Sequence, residues 1–256
     1  MRPRFVVGAL DFVRAWVERL VAVHAVDRAV ALAALAFSSL IPLLIVYDAV
    51  APDIDGRDFA TQLINRLSLK GAAAASLREA LAPPGEVRES VGLLGVLLVS
   101  VSALSFARGL QRLYGQAFRL PASGGVQRTR ATLLWLALIP AYITVRDVMD
   151  ALVEGIWDTV FSLVLAVALS TLTPFVLLGR RIPGTRLLAT GIVTTLAMSL
   201  LGIAASLWMT RAISESASRY GILGIAFGLF TWLVVAGFVL VGSAAAGAVI
   251  SERREA

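Results

Sequence analysis

Arg108, Gln111 and Arg112 fall within one helical turn in the run Ser105-Phe106-Ala107-Arg108-Gly109-Leu110-Gln111-Arg112-Leu113-Tyr114. Two guanidinium groups and an amide at that spacing supply several donors that could converge on one phosphate, either a phospholipid headgroup or another anion. Tyr114, Ser102 and Ser105 add hydroxyls along the same helix, so these six residues form a candidate substrate-binding group. The competing reading is that the arginines only snorkel from the end of an apolar helix. A second constellation has the opposite sign. Asp147, Asp150, Glu154 and Asp158 are spaced 3, 4 and 4, which on one helix makes a single acidic stripe. Such a stripe could bind a divalent cation or a cationic headgroup, or relay protons. It could equally be a solvated face, or a partner for Arg211 and Arg219.

Catalytic chemistry is not expected. The 256 residues include no cysteine and one histidine, His24. Thiolate metal sites and His-rich zinc or iron sites are therefore excluded. No GxSxG serine, P-loop or dinucleotide fingerprint occurs. No enzyme activity, metal or cofactor is expected.

The elements that position these residues follow from hydropathy. Apolar residues make up 58% and charged residues 16% of the chain, and the mean hydropathy is +0.83. Soluble domains are nearer one-half and one-quarter. About 20 helical residues cross a hydrocarbon core. Six stretches qualify: residues 29–50, 91–107, 131–145, 156–178, 187–209 and 222–250. The third is short and the sixth is long. The expected fold is all-α, a polytopic membrane protein of six transmembrane helices forming one integral membrane domain over residues 1–256. Residues 5–24 form an amphipathic helix, with Phe12 and Trp16 on its apolar side, that either lies in the membrane interface or packs under the bundle. A second interfacial helix is expected at 57–70.

Loop charge orients the spans. The N-terminal segment through Arg28, residues 108–130, residues 179–186 and the C-terminal tail hold 15 of the 23 basic residues. The alternate loops carry most of the acids. Basic residues gather on the cytoplasmic side, so both termini are expected there, in a bacterial inner membrane. The net charge of +6 is then explained by loops beside anionic lipid rather than by nucleic acid. Membrane lipids are the expected partners, and the sequence leaves self-association open.

Small residues mark the last span. Gly224 and Gly228 form a GxxxG, followed by Gly237, Gly242, Ser243 and Gly247. Such residues let helices approach closely, so Gly224, Gly228 and Gly242 are candidate packing positions. Glycine at this density also suits a mobile or broken helix. Pro42, Pro140 and Pro174 permit kinks inside spans.

Three segments together resemble the YihY/BrkB family of bacterial inner-membrane proteins. ALAALAFSSLIPLL in the first span is similar to the family's opening helix. LLGVLLVSVSALSFARGLQRLYGQAF is similar to its serine-containing helix, which ends in a polar turn and a tyrosine, here Tyr114. SRYGILGIAFGLFTWLVVAGFVLVGSAAAGAVI resembles its closing helix through Tyr220, Gly221, Gly224, Trp232 and Gly242. Two departures stand out. Ser38 follows Phe37 where the family has tyrosine, and Ala244 and Ala246 occupy the family's Glu and Asn positions. The resemblance implies transport of a lipid or lipid precursor, or a part in envelope integrity. The expected function is that of a transporter or flippase-like protein for a lipid or other amphipathic anion. The alternative is a non-transporting envelope scaffold.

Overall fold

A computed structural model describes residues 4–50, 88–121, 124–152, 155–209, 212, 215–216 and 219–254. The expected interfacial helix at 57–70 lies outside these residues. Every regular element among them is helical. They are α1 (Arg4–Ala22), α2 (Ala25–Val50), α3 (Arg88–Ala117), α4 (Gly125–Leu152), α5 (Ile156–Leu177), α6 (Gly184–Ala204) and α7 (Ile222–Arg253). A π-helical turn, Ala205–Met209, extends α6.

Among the described residues, four helices are long and apolar enough to cross a membrane: Gly125–Met149, Ile156–Leu177, Gly184–Trp208 and Leu223–Arg253. A fifth span is added if Leu10–Ala22 and Ala25–Leu40, bent by 59° at their junction, count as one. The expected third span at 131–145 is too short a reading, because α4 runs 28 residues. Its extra length lies at both ends, in residues 125–130 and 146–152, whose polar side chains hydropathy alone discounts. The expected second span, 91–107, lies on α3.

Helix ends are set by specific local chemistry. At the end of α3, the Leu120 N–H donates to the Gly115 carbonyl at 2.8 Å, with Arg119 in the left-handed region at φ 53°. At the end of α5, the Arg180 N–H donates to the Phe175 carbonyl at 3.0 Å, with Gly179 at φ 65°. Both close orphan carbonyls in the manner of a Schellman turn. The bend between α1 and α2 sits at His24, φ 53°, whose carbonyl accepts from the Arg28 N–H at 3.0 Å.

The chain groups into two compact units. The first is Met1–Leu32, Leu104–Ser199 and Ala236–Ala256; the second is Ala33–Ala103 and Leu200–Val235. The first unit holds a continuous apolar core. Val23, Leu32, Leu113, Tyr114, Leu177, Leu187, Val241 and Ala244 are buried in it. Close helix approach makes this core possible. A Cβ added at Gly237 would come within 2.5 Å of the Ala29 carbonyl oxygen, and one at Gly247 within 2.5 Å of the Thr190 Cα. At Gly191, an added Cβ would press on Thr171. In the second unit, Phe37 and Phe230 meet edge to face with centroids 5.6 Å apart.

Candidate functional site

The basic turn of α3 divides into two faces. Arg108 and Arg112 are exposed, whereas Gln111 and Tyr114 are buried. The reason is the 100° step. Gln111 and Tyr114 share their face with Ala107 and Leu110, which point into the core, and positions 108 and 112 point away from it. Gln111 is fully engaged there. Its Nε2 donates to the Leu177 carbonyl at 2.6 Å, and its Oε1 accepts from Arg128 Nε at 3.2 Å. It closes the C-terminus of α5 rather than joining the two arginines.

Arg108 and Arg112, in contrast, make no hydrogen bond or ion pair with another described residue. They stand one turn apart on the exposed face, where like charges repel unless an anion sits between them. Tyr114 lies past the apolar stretch 91–107. Burial pushes its phenol up, so it stays neutral and contributes shape. Ser102 and Ser105 are half-buried.

A buried arginine that the sequence did not single out organises this end. Arg19 of α1 is only 3% exposed. Its Nη2 donates to both carboxylate oxygens of Glu252 at 2.7 and 2.6 Å, and its Nη1 donates to the Ala117 carbonyl. That carbonyl ends α3, where a cation offsets the negative helix terminus. One side chain thus ties α1 to the ends of α3 and α7. Trp16, one turn away, donates to the Gly242 carbonyl at 3.0 Å. Hydropathy could not mark Arg19, because an amphipathic helix carries arginine on its surface far more often than beneath it.

Asp158 does not continue the helix that carries Asp147 and Asp150. Asp147 and Asp150 are on α4, Asp158 is on α5, and Gly155 at φ 72° lies at the break between the helices. Glu154 lies outside the described residues. Asp147 is exposed and Asp158 half-buried. Arg219, a suggested partner for the stripe, instead pairs with Glu215 at 2.8 Å. Among the described residues no group of three His, Asp or Glu could hold a metal ion.

The packing glycines separate likewise. Gly224 is buried and Gly228 half-buried, both in the second unit. Gly242 seats the Trp16 ring, since an added Cβ would lie 3.7 Å from its Cζ2. Among the described residues, tight approaches occur at Gly191, Gly237 and Gly247. A hydroxyl seam runs beside them. Thr195 donates to Ser170 at 3.1 Å and Trp135 to Thr173 at 3.2 Å. Thr190 and Thr194 are buried without a hydrogen-bond partner. Position 244, where the resemblance places an acid, is alanine with no exposure.

No curated protein and no solved structure matches the chain. The family model described as Virulence factor BrkB matches residues 16–256, nearly the whole sequence. With its long apolar helices, the chain is a multi-pass membrane protein and belongs to the BrkB family.

Proposed function

We propose that this protein moves a lipid or another amphipathic anion within a bacterial inner membrane, with Arg108 and Arg112 receiving the anionic group. The observation that carries this reading is the exposed pair itself. Three other arginines nearby are engaged in structure, unlike the exposed Arg119 and Arg130: Arg19 with Glu252, Arg128 with Gln111, and Arg181 with the Pro121 carbonyl at 2.9 Å. Arg108 and Arg112 have no such commitment. A phosphate bridging them would gain charge-assisted hydrogen bonds and remove their mutual repulsion. The same reading takes α2 and α3 as the remaining two of six spans, with both termini cytoplasmic.

The test is lipid scrambling in reconstituted liposomes, comparing the native chain with Arg108→Gln/Arg112→Gln. The expected result is accelerated movement by the native chain and its loss in the double variant. Equal movement by both overturns the headgroup role. A native rate no faster than protein-free vesicles overturns transport.

Ala244 favours a second reading. An apolar interior at that position holds no ionisable group for ion coupling, which suits a non-transporting envelope scaffold. That reading expects Arg108→Gln/Arg112→Gln to leave envelope integrity intact, and disruption of Gly224 and Gly228 to abolish it.

A further inference from the structure

Helix α1 is divided lengthwise into three faces. Trp16 and Arg19 point into the first unit, held by Gly242 and Glu252. Asp11, Arg14 and Glu18 form a second, exposed face, where Arg14 donates to Glu18 at 3.0 Å. The third face is apolar and also exposed: Leu10 is 55% accessible, Val13 49%, Val17 46% and Val21 71%. At 100° per residue the centres of these faces lie roughly 90° to 135° apart. A helix under a soluble domain needs two environments. Three faces fit a helix at the side of a bundle, touching protein, water and lipid at once.

The bend decides where such a helix lies. The axes of Leu10–Ala22 and Ala25–Leu40 differ by 59°. Thirteen helical residues extend about 20 Å, so α1 advances only about 10 Å along the axis of α2 while travelling about 17 Å sideways. Three exposed charges on the water face also make a crossing of the hydrocarbon core by α1 costly. Beyond the bend, the exposed apolar surface continues at Val26 and Val30 of α2. The patch is therefore continuous with the surface that a spanning α2 turns toward lipid.

We infer that the Leu10–Val13–Val17–Val21 face of α1 is a lipid-contact surface, lodged at the headgroup–acyl boundary of the leaflet nearest the bend. Its occupant is phospholipid rather than a protein partner. The water face of α1 sums to one negative charge, so burial of apolar area holds the helix in place. Electrostatic attraction to anionic lipid contributes little.

The natural absence of cysteine makes the test direct. Single cysteines at 13, 17 and 21, and at 11, 14 and 18, carry nitroxide labels in phosphatidylcholine–phosphatidylglycerol vesicles. Collision with oxygen, which partitions into lipid, is compared with collision with a water-soluble nickel chelate. The expected result is an oxygen-to-nickel ratio several-fold higher at 13, 17 and 21 than at 11, 14 and 18, unchanged in high salt. Nickel accessibility at 13, 17 and 21 equal to that of the charged face overturns the inference. So does shielding of those positions from both reagents, which would mean a second copy of the chain covers them. All six side chains are exposed, so the labels leave the core undisturbed.

Discussion

The same helices behave differently in the two units. Within the first, α6 buries Leu187, Ala189, Thr190, Gly191, Thr194 and Thr195, and α7 buries Val241, Ala244, Ala245, Ala248 and Val249. Within the second, α6 exposes Leu200, Ile203, Leu207 and Trp208 at 58% or more, and α7 exposes Leu223 and Phe227 at 63% and 69%. Side-chain size accounts for the contrast. Residues 242–248 of α7 are Gly, Ser and Ala, which let backbones approach to van der Waals distance. The bulkier exposed residues of the second unit suit contact with acyl chains. In lipid, where apolar burial alone does not drive helices together, close packing and interhelical hydrogen bonds must. Among the described residues, the first unit holds both.

The largest test of this contrast is removal of a charge from each unit. Arg19→Ala empties a buried side chain's volume and leaves the Ala117 carbonyl without its donor, while Glu252 is half exposed and can be hydrated; the expected cost is about 3 kcal/mol, seen as a large fall in Tm in detergent. Arg219→Ala in the second unit breaks an exposed pair and should cost less than about 0.5 kcal/mol. Equal losses would erase the distinction. Side-chain truncation comes next. Leu113→Ala empties fully buried volume, for an expected loss of about 3 kcal/mol; Leu207→Ala, on an exposed face, should lose a small fraction of that in the same denaturant titration. Glycine substitution sharpens the account of close approach. Gly247→Leu drives a side chain into Thr190, for about 2 kcal/mol or more, whereas Gly202 has open space around its Cβ direction and Gly202→Ala should be neutral or slightly stabilising.

Smaller effects probe the helix ends. Gln111→Leu leaves the Leu177 carbonyl without its side-chain donor, for an expected loss of about 1–2 kcal/mol, measured alongside Arg108→Gln as a surface control that should leave Tm unchanged. Smallest is Arg119→Gly. It relieves a left-handed residue and should raise stability by up to about 1 kcal/mol. A fall in Tm would mean that the Arg119 side chain contributes more than its backbone costs.

Much of the helical framework was legible in residue order. Apolar length located α5, α6 and α7 within a few residues, and the amphipathic period located α1. The reach of α4 beyond 131–145 at either end was not legible, because polar residues at a helix end carry no hydropathy signal. The candidate site was legible only as types. Arg108, Gln111 and Arg112 are neighbours on a helix whichever way it faces, and rotation about the α3 axis separates the exposed arginines from the buried amide. Asp147, Asp150 and Asp158 illustrate the converse. Their spacing suits one helix, but one helix ends at Leu152 and the next begins at Ile156, after Gly155 at φ 72°.

Residue order by itself determined that the chain is helical, apolar and multi-pass, since those properties depend on local composition summed over about 20 positions. It also determined the distribution of charge among the loops. Tertiary structure alone decided that Arg19 is buried rather than snorkelling, and that Gln111 closes another helix. Among the described residues, it likewise placed close helix approaches at Gly191, Gly237 and Gly247. Each of those outcomes depends on which residues from distant parts of the chain meet. The sequence separation of 98 between Arg19 and Ala117 leaves no trace of that meeting in either segment.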